Sequence, residues 1–179
     1  DVSGATLTGV IGGDIVNLST AGATGSFDDK NAGAGKTVTI SGLTLSGADS
    51  GNYNLTTASA TANANITPKI LTVSATGVNK VYDGTTTATV TLADDRVAGD
   101  TLTASYAGAT FADKAVGAGK TVNVTGLSIA GVDSGNYTLA STTTATTANI
   151  TPKTLTVTAT GVNKVYDGTT TATVTLADD

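Results

Sequence analysis

The sequence repeats itself with a period of 84 residues. Residues 66–95 return as residues 150–179, and the two copies differ only at Ile70, which becomes Thr, and at Ser74, which also becomes Thr. A fixed internal period is the mark of tandem structural units that contact their neighbours. The repeat therefore predicts an array of similar small modules, and it favours spanning distance or presenting a surface many times over housing one active site.

The period divides the chain into one whole repeat and two partial ones. Residues 69–152 form a complete repeat. Residues 1–68 correspond to a repeat that lacks its first strands and its Tyr-Asp-Gly segment, and residues 153–179 supply those opening strands. Because incomplete sheets expose unpaired strand edges, two outcomes fit. Either the closing fragment of one molecule completes the opening fragment of the next by head-to-tail strand exchange, or both ends fray.

Composition excludes several functions. The chain has no Cys, His, Met, Trp, Glu or Gln, while Thr supplies 39 of its 179 residues. Without Cys, His or Glu, the usual general bases and activated nucleophiles are missing, so we expect no enzyme and no cofactor. The net charge of −5, with no Lys/Arg cluster, argues against nucleic acid as a partner. No apolar run approaches the roughly 20 residues of a membrane span, so we expect no membrane insertion.

The residue pattern predicts strands and turns. Leu71, Val73 and Ala75 alternate with polar residues, which is the period of a half-buried strand. Phe111 and Tyr137 are expected in the core. The pattern predicts about five to seven short strands per repeat and no convincing helix. We therefore expect an all-β chain of tandem small β-sandwich-like modules; the alternative is a β-grasp-like module with a short helix near residues 107–118.

The junctions between repeats predict limited bending. Pro68 and Pro152 each stand in an Ile-Thr-Pro-Lys segment without Gly or Ser. Proline fixes its own φ and biases the preceding residue towards extended geometry. We expect a nearly continuous strand across each junction and an elongated, rod-like array.

Two motifs suggest chemistry only weakly. Gly33–Thr37 ends like a phosphate-binding loop, but Lys30 stands where the first glycine is required and a strand pattern follows, so a glycine-rich turn feeding a strand explains it. A metal site would need oxygen ligands alone, which points to calcium. The weak calcium candidates are Asp28, Asp29, Asp94 and Asp95, with the turns at Asp49 and Asp133.

Several ordered motifs carry a family resemblance. Lys-Val-Tyr-Asp-Gly-Thr-Thr stands at 80–86 and 164–170, and Asp-Ser-Gly-Asn-Tyr at 49–53 and 133–137. With the Gly-Lys-Thr-Val and Ile-Thr-Pro-Lys segments, these motifs resemble the YDG repeat of very large bacterial surface proteins of the filamentous-haemagglutinin type. The structural signature residues are Tyr82, Asp83, Gly84, Tyr166, Asp167, Gly168, Asn52, Tyr53, Asn136, Tyr137, Pro68 and Pro152.

The resemblance implies a secreted adhesin on the bacterial surface, built from many tandem copies. In such a protein the repeats act as a stalk that projects a distal adhesive region and supports cell adhesion or biofilm formation. The expected partners are neighbouring repeats, with a polysaccharide or host surface contacted by other domains. Two alternatives remain open: a module that binds matrix polysaccharide or host protein along its side, and a self-associating module that links cells.

Overall fold

The computed structural model describes residues 6–178 and consists almost entirely of β-strands. Residues 1–5 and 179, which fall in the first and third predicted repeats, lie outside the described residues. The all-β prediction is confirmed: the helical structure in the described part of the chain is two short 3₁₀ turns, Ser50–Asn52 and Ser134–Asn136. Within residues 6–178, no helix has the length and apolar character needed to cross a bilayer.

The strands range in length from two residues to nine. They are β1 (Asn17–Ser19), β2 (Thr24–Phe27), β3 (Gly33–Ser41), β4 (Thr44–Ser46), β5 (Ser59–Ile66), β6 (Lys69–Leu71), β7 (Val73–Gly77), β8 (Lys80–Val81), β9 (Val90–Asp94), β10 (Thr103–Ser105), β11 (Gly108–Phe111), β12 (Gly117–Thr125), β13 (Ser128–Ala130), β14 (Tyr137–Leu139), β15 (Thr143–Thr151), β16 (Val157–Val162) and β17 (Thr173–Asp178).

The chain divides into two compact units. The first contains the chain up to Thr72 together with Asp95–Thr103 and Ile129–Ala140. The second contains Val73–Asp94, Ala104–Ser128 and the chain from Ser141 onwards. Each unit is therefore assembled from segments that are distant in sequence.

The first unit contains three small sheets. β2, β3 and β5 form an antiparallel sheet in that order, β1 pairs with β4, and β6 pairs in parallel with β14. Its buried side chains are few for its size, consistent with small sheets that each have limited apolar surface. They are Ile40, Leu43, Leu71, Leu102 and Tyr137.

The second unit contains the larger sheet. Its strand order is β11-β12-β15-β8, with β8 added in parallel to β15, and β7 pairs with β9 as β16 does with β17. Phe111 is 3% exposed, as predicted for a core residue, and it lies among apolar residues that are also buried. These are Val73, Ala88, Val90, Ala109, Val122, Val124, Leu127, Ala148 and Ile150.

The predicted strand faces agree with the structure. Leu71 and Val73 are buried, whereas Ile70, which is Thr in the other copy, is 58% exposed. Around residues 107–118, where the β-grasp alternative requires a helix, the structure has β11 and the start of β12. Strand β9 ends at Asp94, so the loop before β10 begins at Asp95.

The junction prediction is only partly right. Strands β5 and β6 flank Pro68 closely, but strand structure is interrupted at residues 67–68. After Pro152, strand structure resumes only at Val157. Proline lacks the N–H that a continuing ladder would need, which accounts for the interruption at both places.

Candidate functional site

The candidate site is a cluster of one tyrosine and two aspartates in the first unit, here called the second-copy Tyr–Asp cluster: Tyr137, Asp100 and Asp133. The Tyr137 hydroxyl donates a hydrogen bond to Asp100 Oδ2 at 2.7 Å and accepts one from the Val97 N–H at 2.9 Å. Asp133 Oδ2 accepts a hydrogen bond from the Thr101 N–H at 2.8 Å. The three side chains therefore fasten the loop before β10 to the turn before β14.

The local sequence shapes this turn. The 3₁₀ turn Ser134–Asn136 begins immediately after Asp133, and the Ser134 hydroxyl donates to the Gly131 carbonyl at 2.7 Å. Gly131 has φ +128°, and a Cβ placed on it would lie 2.6 Å from the Thr101 carbonyl oxygen. Only glycine permits both this backbone conformation and so close an approach.

A lysine from a distant loop contacts the second-copy cluster within the same unit. Lys30 lies in the lysine loop (residues 29–32), between β2 and β3. Its Nζ is 2.7 Å from Asp100 Oδ1 and 3.5 Å from Asp133 Oδ1. Next to it, the Ala32 N–H donates to Asn136 Oδ1 at 2.8 Å. Residues of the first predicted repeat thus bind directly to residues of the second.

The electrostatics of the second-copy cluster favour a fixed charge pattern. Lys30, and after it the Tyr137 hydroxyl, hold the pKa of Asp100 below its usual range. Hydrogen bonding to Asp100 raises the pKa of Lys30, and burial raises that of Tyr137. At neutral pH the carboxylate and ammonium remain ionised and the phenol remains neutral. The geometry is that of a structural fastener between two loops.

The same cluster recurs in the first copy as Tyr53, Asp14 and Asp49. The Tyr53 hydroxyl donates to Asp14 Oδ2 at 2.6 Å and accepts from the Ile11 N–H at 3.1 Å, while Asp49 Oδ2 accepts from the Ile15 N–H at 2.8 Å. The hydrogen bond to Asp14 is the main reason that the pKa of Tyr53 is raised. The predicted signature residues Tyr53 and Tyr137 are therefore equivalent members of one recurring network.

The sequence pattern did not reveal two members of these networks. Asp14 and Asp100 stand 86 residues apart instead of 84, because the first copy has two more residues between this aspartate and the following phenylalanine. The shared Gly-Asp dipeptides at 13–14 and 99–100 were the available signal. Lys30 was considered only as a departure from the phosphate-loop pattern.

The Tyr-Asp-Gly segment forms a closed turn in the second unit. Lys80 Nζ donates to Asp83 Oδ1 at 2.8 Å and to the carbonyl oxygens of Thr85 and Thr87, each at 2.9 Å. Asp83 also accepts from the Thr85 N–H at 2.9 Å, and Gly84 has φ +79°. Lys80 is the chief cause, and Thr85 the next, of an Asp83 pKa of about 2.

The second occurrence of this turn keeps the lysine–aspartate pair and the glycine conformation in a different environment. Lys164 Nζ is 2.9 Å from Asp167 Oδ1, and Gly168 has φ +75°. Tyr166, however, is 93% exposed, whereas Tyr82 is half-buried. The turn geometry is therefore set locally, and the burial of its tyrosine is not.

The weak calcium candidates already bond other groups. Asp29 Oδ1 lies 2.5 Å from Lys36 Nζ, which lowers the pKa of that carboxyl. The Thr72 N–H, and then Lys69, lower the pKa of Asp95. Across residues 6–178, no group of three or more metal-binding side chains occurs. The other candidates are Asp28 and Asp94, and Asp49 and Asp133 of the two Tyr–Asp clusters.

The glycine-rich segment that resembles a phosphate loop is a bulged part of β3. The register of β3 against β5 shifts between Gly33 and Lys36, and Gly35 has φ +63°. The Gly35 N–H donates to Asn65 Oδ1 at 2.8 Å. The expected turn is therefore wrong in detail: the glycines allow a β-bulge inside the strand, and the same bulge recurs at residues 117–120.

Comparison with known proteins gives one match. Residues 1–62 and residues 67–145 both match the YDG domain family. A search of curated proteins and a search of solved structures each found no match.

Proposed function

We propose that this chain, which belongs to the YDG domain family, is a run of spacer repeats in a secreted bacterial surface adhesin of the filamentous-haemagglutinin type. Its role is mechanical. Many copies hold a distal adhesive region away from the cell and so support adhesion or biofilm formation.

One observation carries the proposal: the lysine loop of one repeat binds the Tyr–Asp cluster of the next. Lys30 reaches Asp100 and Asp133, whose side chains are only 10% and 15% exposed. The chain carries the lysine loop again at residues 113–116, where Lys114 stands, and the cluster again around Tyr53. Because both halves of the contact occur in each of the first two repeats, further copies would orient each pair of neighbours in the same way, as in other tandem-repeat proteins.

The electrostatics support a mechanical role over a catalytic one. Lys36, Lys80 and Lys120 each bind an aspartate within their own repeat, at 2.5 to 2.8 Å. These pairs brace turns and bulges within a repeat.

Small-angle scattering on chains with two, four and six copies of residues 69–152 tests the spacer role. The maximum dimension should grow by a constant increment per copy. A plateau or compaction with added copies would refute the proposal. As a matched comparison, Ala at every position equivalent to Lys30 should make the six-copy chain more flexible, whereas Arg at the same positions should keep its dimensions.

A further inference from the structure

The strand pairs β6–β14 and β8–β15 are both parallel. Lys69 of β6 lies opposite Tyr137 of β14, and Lys80 of β8 lies opposite Ile150 of β15. The pairs β12–β15 and β7–β9 are antiparallel. One parallel pair lies in each compact unit, and in both of them the two strands are far apart along the chain.

Strand direction decides how a strand pair is loaded when the chain is stretched. The earlier strand is pulled from its N-terminal side and the later strand from its C-terminal side. In a parallel pair these pulls are opposed along the strands, so the pair is sheared and its hydrogen bonds share the load. In an antiparallel pair both pulls act at the same end of the ladder, so the bonds open one after another.

The parallel pairs lie where tension enters and leaves the complete repeat. Strand β6 begins directly after Pro68, and β15 ends directly before Pro152. Tension along the chain therefore reaches β6 and β15 before it reaches the strands between them. Each of these two strands is held by a parallel partner.

Backbone and side-chain hydrogen bonds hold β8 to β15. The Tyr82 N–H donates to the Thr151 carbonyl at 2.8 Å, and the Thr151 hydroxyl donates to the Lys80 carbonyl at 3.3 Å. Just before β8, Asn79 Oδ1 accepts a hydrogen bond from the Asn149 N–H at 2.7 Å. Because all of these bonds cross the pair, shear loads them together.

Strand β6 is held at both of its ends. The Ala140 N–H donates to the Leu71 carbonyl at 2.9 Å, which extends the pairing with β14 by one residue. Asp95 Oδ1 accepts from the Thr72 N–H at 2.8 Å, and the Asp95 carbonyl accepts from Lys69 Nζ, also at 2.8 Å. A pull on β6 therefore acts on bonds along its whole length.

Buried side chains keep water away from both parallel pairs. Leu71 in β6, Tyr137 in β14 and Ile150 in β15 are all buried. Water that reaches a stretched backbone hydrogen bond competes for its donor and acceptor, whereas dry surroundings strengthen the bond. The bonds that shear would load are thus the ones that the core shields.

We propose that each of the two parallel pairs is a mechanical clamp that resists stretching of the repeat. Under tension each clamp holds until several bonds break together, while antiparallel pairs open bond by bond. The clamp rests on the spacer role, since a stalk is where such a chain is stretched. The two ideas fail separately: rupture that is independent of pulling direction would overturn the clamp and leave the spacer role standing, and compaction in scattering would do the reverse.

Optical-tweezers measurements on the full chain test the clamp. Because the chain has no Cys, two introduced cysteines define the attachment points. Thr76→Cys with Lys153→Cys shears β8–β15, whereas Thr86→Cys with Lys153→Cys peels the pair from one end; all three positions are exposed. At one loading rate, shearing should need at least about twofold more force, since several bonds break together instead of one. Equal forces would overturn the proposal.

The pair β6–β14 gives an independent comparison. Attachment at Thr67→Cys and Ala140→Cys shears this pair, and attachment at Thr72→Cys and Ala140→Cys peels it; these positions are also exposed. The shearing direction should again need the larger force. The same force in both directions would show that β6–β14 is no clamp.

Variants of Asn79 test whether the cross-strand bonds carry the load. Asn79→Ala removes the acceptor of the Asn149 N–H and should lower the shearing force of β8–β15. It should leave the peeling force nearly unchanged, because peeling first breaks the Tyr82–Thr151 bond at the other end; a general loss of stability would lower both forces. Asn79→Asp keeps an acceptor and should retain the wild-type shearing force.

Asn163→Ala is the matched control, since Asn163 is the equivalent residue 84 positions later and lies outside the stretched segment. It should rupture like the wild type in both directions. A shearing force that Asn79→Ala leaves unchanged, or that Asn163→Ala lowers equally, would overturn the proposal.

Discussion

The sheet of the first unit and the sheet of the second unit share the segment Gly-Ala-Gly-Lys-Thr-Val and the phenylalanine that precedes it, but they differ in burial. Phe27 is 40% exposed and Phe111 is 3% exposed. Val38 is half-buried, whereas Val122 is fully buried. The second sheet is covered by the hairpin Val73–Asp94 (the covering hairpin), whose short strand β8 pairs with β15, and the first sheet has three strands.

The difference shows that the apolar face of the sheet is buried by the hairpin that precedes the sheet in sequence. The burial of the two hairpins, Val73–Asp94 and the C-terminal hairpin Val157–Asp178, leads to the same conclusion. Val73 is 8% exposed and Val157 is 67% exposed, although their hairpins are almost identical in sequence. Neither surface is buried by its own residues; each requires the other.

Truncating the phenylalanine in each sheet should give the largest contrast. Phe111→Ala should destabilise the second unit by about 3–5 kcal/mol, because it leaves a cavity beneath the covering hairpin. Phe27→Ala should cost about 1 kcal/mol or less in dilute solution, since much of that ring already contacts water. Hydrogen exchange of the amides in β12 measures the stability of the second unit, and exchange of those in β3 measures the stability of the first. Equal losses would contradict the proposed role of the hairpin.

Removing the cluster hydroxyls should give a smaller contrast. Tyr137→Phe should cost about 1–3 kcal/mol, because the Asp100 carboxylate and the Val97 N–H lose a partner at a buried site. Tyr53→Phe should cost less, since Tyr53 is only half-buried. Denaturant titration followed by exchange of β14 amides measures the first effect. If Tyr53→Phe were the more damaging change, burial would not control the strength of this network.

Acid should weaken the Lys80–Asp83 turn over a defined range. The folded-state pKa of Asp83 is about 2, below the roughly 3.9 of an unfolded aspartate. The stability that this group contributes is therefore complete above about pH 4 and is lost as pH falls through about 2. Exchange of β7 and β9 amides should quicken over that range in the wild type.

Two variants sharpen the acid experiment. Asp83→Asn should flatten this part of the pH profile, because the group that titrates is gone. Asp167→Asn, in the equivalent turn of the C-terminal hairpin, should leave the profile of β7 and β9 unchanged. A wild-type profile that is flat between pH 4 and 2 would show that the Asp83 carboxylate contributes nothing to this turn.

Much of the fold and part of the site could be predicted from local pattern. Alternation at Leu71 and Val73 predicted the strand faces, and an Asp-Gly pair such as that at 83–84 is a sequence signal for a turn. Parallel pairing could not be predicted in this way. Ile150 pairs with Lys80 and Tyr137 pairs with Lys69, across separations for which no short-range signal exists.

The sequence by itself determined the period, the strand faces, the turns and the recurring Asp-Ser-Gly-Asn-Tyr motif, because these depend on side-chain alternation and on glycine geometry within a few residues. Only the tertiary structure decided that Lys30 binds Asp100 and Asp133, and that Phe111 is buried while Phe27 is exposed. Those outcomes depend on which distant segments meet. Identical residues can therefore be core in one copy and surface in another, since burial belongs to a contact between segments.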